Sequence, residues 1–304
     1  MNQHLARTLG IGAALCCARM AFGQAASAGQ PTPVAAGTPK VSPDGTAILF
    51  FSNRDGGRAF YVMSPTGENL RRVTPVDLDV ISAAWAGDAG HVLVIARAAH
   101  TGMDSTRLLL GDLAAGTWKQ IAGGRLINSA ASLDGRRVVF SAIDRAAQTG
   151  DLYVVGVAGA EVRPLTTGAG LNFGPALSPD GQRLAFIRAE LPERKPRLWI
   201  ANANGSGPHP ITTGDQVDEQ PSWSPSGEWI AFQTSVRGKP RADIALVRPD
   251  GTGRRTITLQ PEDYLIETPS WFPDGRRLAV QSNRDGTMRS YVIDLAGKIL
   301  ATLR

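Results

Sequence analysis

Hydrophobic and polar positions alternate along this chain in short bursts that return at a fixed interval. Runs such as Ile48 to Phe51, Val92 to Ile95, Arg137 to Phe140, Leu184 to Ile187 and Trp229 to Phe232 are rich in branched and aromatic residues. Each is bounded by Gly, Pro, Asn or Asp, which reads as a strand between tight turns rather than a helix. Ahead of each run stands one turn signal, cleanest as Ser42-Pro43-Asp44-Gly45. Ser42 is placed to bond the backbone ahead of it, Pro43 presets φ at the second turn position, and Gly45 takes the last. The turn aspartate recurs at Asp44, Asp88, Asp134, Asp180 and Asp274, with Ser226 in the fifth place, so the steps are 44, 46, 46, 46 and 48 residues. A constant period of that size with strand content predicts a ring of small sheets. The expected fold is all-β, a six-bladed β-propeller of four-stranded antiparallel blades.

The last repeat spells out one blade: Thr268 to Trp271, the turn at Gly275, Arg277 to Ser282, the turn at Gly286, Ser290 to Asp294, the turn at Gly297, and Ile299 to Leu303. The repeats fill residues 37–304 as one closed domain, because a lone blade cannot cover both faces of its sheet. No strand from one terminus visibly completes the blade at the other, and residues 31–36 are the segment available for that. Residues 1–28 differ in kind. Arg7, the apolar run from Leu9 to Ala18 and the small residues Ala26-Ser27-Ala28 predict a secretory signal, too short to span a bilayer as a stable helix. Residues 29–36 then read as a leader or an extra strand. Cys16 and Cys17 fall inside the signal, so no disulfide is expected in the mature protein.

The run Pro221-Ser222-Trp223-Ser224-Pro225-Ser226-Gly227 with Ile230 to Phe232, and Ser-Asn-Arg-Asp-Gly at 52–56 and 282–286, resembles the repeats of TolB-type six-bladed propellers. A looser likeness runs to the propellers ahead of the catalytic domain in prolyl oligopeptidase relatives. The TolB resemblance implies an exported, periplasmic or secreted protein of Tol-Pal-type envelope assemblies. Its implied partner is an envelope protein or peptide, such as a peptidoglycan-associated lipoprotein. TolB-type proteins carry a separate α/β domain ahead of the propeller, where this sequence has only the signal-like segment and a few residues. The expectation is therefore binding by the propeller alone, as a monomer, without cofactor or stable membrane insertion.

Catalytic readings find little support in the residues. No Gly-x-Ser-x-Gly elbow occurs, and the sequence to Arg304 contains no hydrolase domain. No phosphate-binding loop is present, since the glycines sit between strands. Propeller-type polysaccharide lyases gather several histidines at the axis. Here His91, His100 and His209 fall in different turns, so no metal centre is expected. A carbohydrate-active lyase using the channel face or His100 stands as the alternative, and a scaffold in a larger envelope complex as a third reading. Removing Arg7 and Arg19 takes the net charge from +5 to +3, and the basic loops lack interleaved aromatics, so no nucleic-acid role is expected.

The remaining candidate is the mouth of the channel. Segments 77–79, 123–128, 168–173, 215–219 and 262–267 connect each outer strand to the next inner one. Four positions before the inner-strand tryptophan column stand Ile81, Ile127, Phe173, Glu219 and Glu267, apolar on one side of the ring and acidic on the other. With Asp218 and Asp263 these form the predicted partner-binding set. Loops between second and third strands carry Arg54, Arg58, Arg145, Arg194, Lys195, Arg237, Lys239, Arg241, Arg284 and Arg289 on the same face. An acidic mouth inside a basic rim would steer a charged partner. Trp85, Trp118, Trp199, Trp223, Trp229 and Trp271 read as core.

Overall fold

In the computed structural model the described residues are 36–98, 105–131, 135–144, 149–158, 161–168, 170–237, 239, 241–259 and 264–303. The expected signal and residues 29–35 lie outside them, as do His100, Arg145 and Asp263. The described residues form six antiparallel four-stranded meanders: blade 1 over 36–72, blade 2 over 78–124, blade 3 over 126–164, blade 4 over 171–210, blade 5 over 216–257 and blade 6 over 266–303. The all-β propeller expected from the period is the fold. The first inner strand begins at Ala36, so that residue belongs to blade 1 rather than to a leader. No helix among the described residues is long and apolar enough to cross a membrane.

The repeated turn closes as its sequence demands. Gly45 donates its N–H to the Ser42 carbonyl at 2.9 Å, and Ala47 donates to Ser42 Oγ at 2.9 Å. Gly45 sits at φ +75°, and a Cβ there would meet Pro273 of blade 6 at 2.9 Å, so glycine serves both turn and blade contact. Ser42 Oγ also donates to Asp44, and this hydrogen bond holds the Asp44 carboxyl below the usual carboxylate range; Ser178 does the same for Asp180.

Apolar residues of the second and third strands pack between blades rather than within them. In blade 1 every residue of Ile48–Ser52 and Ala59–Met63 is buried. One cluster joins Ile48, Phe50, Tyr61 and Met63 of blade 1 to Phe272, Ala279, Val292 and Leu303 of blade 6, so the ring closes by side-chain packing between its first and last blades. Each fully buried side chain of this size contributes ~1.5–3 kcal/mol.

Polar stitches run at one repeat position. Trp85 Nε1 donates to the Lys40 carbonyl at 2.8 Å, Trp223 to Ala176 at 2.9 Å and Trp271 to Ser222 at 3.1 Å, each reaching back to the equivalent residue of the preceding inner strand. Blade 1 carries Val41 where these tryptophans stand, and at the seam its backbone N–H donates to Ser270 Oγ of blade 6 at 2.9 Å. On the turn side Arg137 donates to the Gly181 carbonyl at 2.9 Å and Arg183 to Gly227 at 3.3 Å, each one blade ahead. Replacing Trp271 by Phe keeps most of the ring and leaves the Ser222 carbonyl unpaired. The expected cost is ~1–3 kcal/mol, read as a melting temperature several degrees lower. Unchanged melting would show that the indole N–H does not tie blade 6 to blade 5.

Candidate functional site

Each inner strand pairs with the second strand of its blade, that of blade 4 also bridging in parallel from Leu171 to Gly150 of blade 3. A register shift interrupts the pairing with the second strand: between Gly37 and Lys40, Val80 and Ser82, Phe173 and Ala176, Glu219 and Ser222, and Glu267 and Ser270 in blades 1, 2, 4, 5 and 6. In blade 3 the extra residue is likewise on the inner strand, at Ile127, because Ser141 pairs with Asn128 and the next residue, Ala142, with Leu126. Four of these bulges hold a residue of positive φ at one repeat position: Thr38 (52°), Gly174 (60°), Gln220 (56°) and Thr268 (54°). Bulges re-aim side chains, and left-handed backbone at non-glycine residues costs energy that the surrounding structure must supply. Along this same row Thr38 Oγ1, Ser82 Oγ, Gln220 Oε1 and Thr268 Oγ1 are buried without a hydrogen-bond partner.

The residues one position earlier are Gly37, Ile81, Ile127, Phe173, Glu219 and Glu267. Their cross-strand partners follow their chemistry: Gly37 opposes Phe51 and Phe173 opposes Ile187, whereas Glu219 opposes Gln233 and Glu267 opposes Gln281. The polar half of the ring is therefore two strands deep. Gln281 Nε2 donates to Glu267 Oε2 at 2.8 Å, Gln233 Nε2 of blade 5 reaches Glu267 Oε1 at 3.5 Å, and Thr38 N of blade 1 donates to Gln281 Oε1. Blades 5 and 6 thus share one carboxylate, and blade 1 joins them through Gln281. Burial pushes the Glu267 carboxyl up, and the Gln281 bond offsets part of that.

This placement corrects part of the sequence reading. Residues 78–79 and 216–219 are strand rather than loop, because the long second strands pair with them to their ends. Glu219 is 4% exposed and Asp218 1%. Asp218 accepts from Thr234 Oγ1 at 2.7 Å with Arg254 at 3.5 Å, inside blade 5. Glu267 bridges blades 5 and 6. Of the apolar set, Phe173 is buried and Ile81 and Ile127 are half-buried. Asp263 lies outside the described residues.

Sequence reasoning passed over Arg188, Gln233 and Gln281. Both glutamines directly follow an apolar triplet of the second strand, at the repeat position that holds Phe51 in blade 1 and Ile187 in blade 4, and that was the available signal. Arg188 is 8% exposed, donates to Asn172 Oδ1 at 2.8 Å, and lies over Trp199 at 4.4 Å. Burial pulls its pKa down. The basic rim is partly neutralised, Lys195 pairing with Asp215 at 2.7 Å and Arg241 with Asp243 at 3.0 Å; nearby, Arg97 of a second strand pairs with Asp79 at 2.6 Å. His91 lies by Asp88, and among the described residues no three His, Cys, Asp or Glu side chains gather as a metal site. Trp85, Trp223 and Trp271 are buried as expected. Trp118, Trp199 and Trp229 are half-buried; Trp199 and Trp229 still pack against core clusters, while Trp118, on the outer strand of blade 2, lies against Gly111.

Residues 102–263 match the family described as TolB beta propeller domain. No curated protein matches the chain. Among solved structures, TolB from Acinetobacter baumannii superposes with a TM-score of 0.67 at 19% identity, over 80% of this chain and 58% of that one. The chain thus spans little more than half the length of that relative. A structure designated TolB from Agrobacterium tumefaciens gives 0.67 at 22% identity, over 86% and 90%. Oligogalacturonate lyase from Vibrio parahaemolyticus gives 0.60 at 14%, over 88% and 92%. These likenesses concern the fold.

The raised Glu267 pKa makes a signed prediction. A carboxyl whose folded pKa exceeds its unfolded value adds stability below the unfolded pKa and loses it as pH rises through the folded one. Relative to Glu267→Gln, the wild type should therefore melt progressively lower as pH is raised from 4 to 8, starting from near-coincidence at the acid end. Parallel melting profiles for the two proteins would sink this assignment.

Proposed function

The chain belongs to the TolB β-propeller domain family, and from that membership we propose an exported, non-catalytic propeller that binds a protein or peptide partner at one mouth of its channel. The compartment in this reading is periplasmic or secreted, and the partner is an envelope protein or peptide of Tol-Pal type. The observation that carries it is the divided inner ring. Glu219 with Gln233 and Glu267 with Gln281 occupy blades 5 and 6, while Ile81, Ile127 and Phe173 occupy blades 2 to 4. A ring apolar on one side and acidic on the other fits an amphipathic segment with a basic edge. The unpartnered oxygens beside it favour a guest rich in hydrogen-bond donors.

Because Glu219 and Glu267 are buried, charge removal is a cleaner probe than charge reversal. Mature protein is used to capture its partner from the envelope of its own host, and the affinity is compared with that of Glu219→Gln/Glu267→Gln. Loss of a desolvated charge at an interface costs ~2–5 kcal/mol, so a fall of tenfold or more is expected with the fold retained. Unchanged affinity with normal melting would move the site to the opposite face or the outer rim. Metal-dependent cleavage of acidic polysaccharides, abolished by His100→Ala, would replace binding with the lyase reading suggested by the likeness to oligogalacturonate lyase.

A further inference from the structure

We propose that a groove between blades 1 and 2, on the outer flank of the ring, binds a single carboxylated sugar unit of an anionic glycan. The groove has a volume of about 360 Å³ and is bordered by Trp118, Leu113, Asp112, Arg71, Arg72 and Pro75. That size is at the lower end of small-ligand sites and suits one ring rather than an extended chain.

Its floor is built for a flat face. Trp118 on the outer strand of blade 2 stands directly opposite Gly111 on the third strand. The six-membered part of its indole lies against Gly111 so closely that a Cβ there would fall 2.6 Å from the ring. Glycine therefore lets the indole lie down on the sheet, an arrangement known to compensate a glycine in a strand. Packing against glycine accounts for one face of the ring; the half-buried residue still borders the groove. Guanidinium groups lie over Trp199, Trp223 and Trp229, but among the described residues none lies over Trp118. The neighbouring Lys119 turns the other way, toward the carbonyls of Val157 and Ala158 in blade 3.

The polar wall differs from the rest of the basic surface. Arg72 is committed, donating to the Thr74 carbonyl at 2.8 Å and the Pro75 carbonyl at 3.1 Å. Arg71 beside it is exposed, and its side chain makes no ion pair or hydrogen bond among the described residues. Across the groove Asp112 is fixed by the backbone N–H groups of Ala114 and Ala115, which hold its carboxyl below the usual range. His91 approaches Asp112 at 3.9 Å from behind.

An indole face receives the C–H face of a pyranose, a fixed carboxylate accepts from ring hydroxyls, and a free guanidinium takes a carboxylate in bidentate fashion. Charge complementarity to Arg71 selects the acidic sugar over the neutral one. This site is independent of the channel mouth and of the partner proposed there.

Binding is measured by tryptophan fluorescence and by saturation-transfer NMR on the mature protein, with trimannuronate, neutral mannotriose and triglutamate as probes. Trimannuronate should bind, quench the emission, and lose at least tenfold in affinity in both Arg71→Gln and Trp118→Ala. Mannotriose should bind at least tenfold more weakly than trimannuronate. Arg71→Gln, on an exposed side chain, tests the site even where Trp118→Ala loosens the sheet. No binding of trimannuronate, or binding that both variants retain, overturns the proposal. Triglutamate binding as tightly as trimannuronate overturns it in favour of an acidic peptide.

Discussion

Closure of the ring is the constraint on which everything else in this molecule depends. Each blade has two apolar faces and buries them only against neighbours, so the first and last blades must meet, and among the described residues no strand is exchanged between them. They do so through the cluster of Ile48, Phe50, Tyr61 and Met63 with Phe272, Val292 and Leu303. Two backbone N–H groups of blade 1 complete the seam, Val41 donating to Ser270 Oγ and Thr38 to Gln281 Oε1. The position that accepts an indole N–H at three other junctions here offers its own side chain instead. A valine in the tryptophan column is thus matched by a serine one blade away.

The seam and the candidate site share residues. Gln281 accepts from Thr38 at the seam and donates to Glu267, which Gln233 of blade 5 approaches in turn. The acidic half of the inner ring is therefore part of the scaffold across blades 5, 6 and 1, not a set of solvated loop charges. A group that holds blades together while sitting at the channel makes partner binding and ring stability interdependent. Burying a carboxylate among amides has a desolvation cost, which its raised pKa reports. The same logic sets Arg188 on blade 4, buried between Asn172 and the ring of Trp199.

The flank of the ring follows other rules. The tryptophans there stay half-buried: Trp199 and Trp229 keep one side on the core clusters and meet guanidinium groups, and Trp118 lies against glycine. Fold and family membership place this chain among TolB-type propellers, while a propeller scaffold by itself hosts many functions. The divided inner ring and the Trp118 groove are what individualise it.

Sequence alone determined the period, the six four-stranded units, the turn chemistry and the tryptophan column, because each rests on contacts within a few residues or on identity at a fixed interval. The four-stranded meander from Thr268 to Leu303 was legible almost to the residue. The split of the inner ring into Ile81, Ile127 and Phe173 against Glu219 and Glu267 was legible too, by counting from the tryptophans. Tertiary structure decided what those carboxylates are. Asp218 and Glu219 lie in a strand whose pairing depends on the length of its neighbour, and Glu267 meets Gln233 across a blade boundary 34 residues away. Which side chains face one another across blades depends on the bulges at Thr38, Gln220 and Thr268, and no local pattern announces a left-handed residue that is neither glycine nor asparagine.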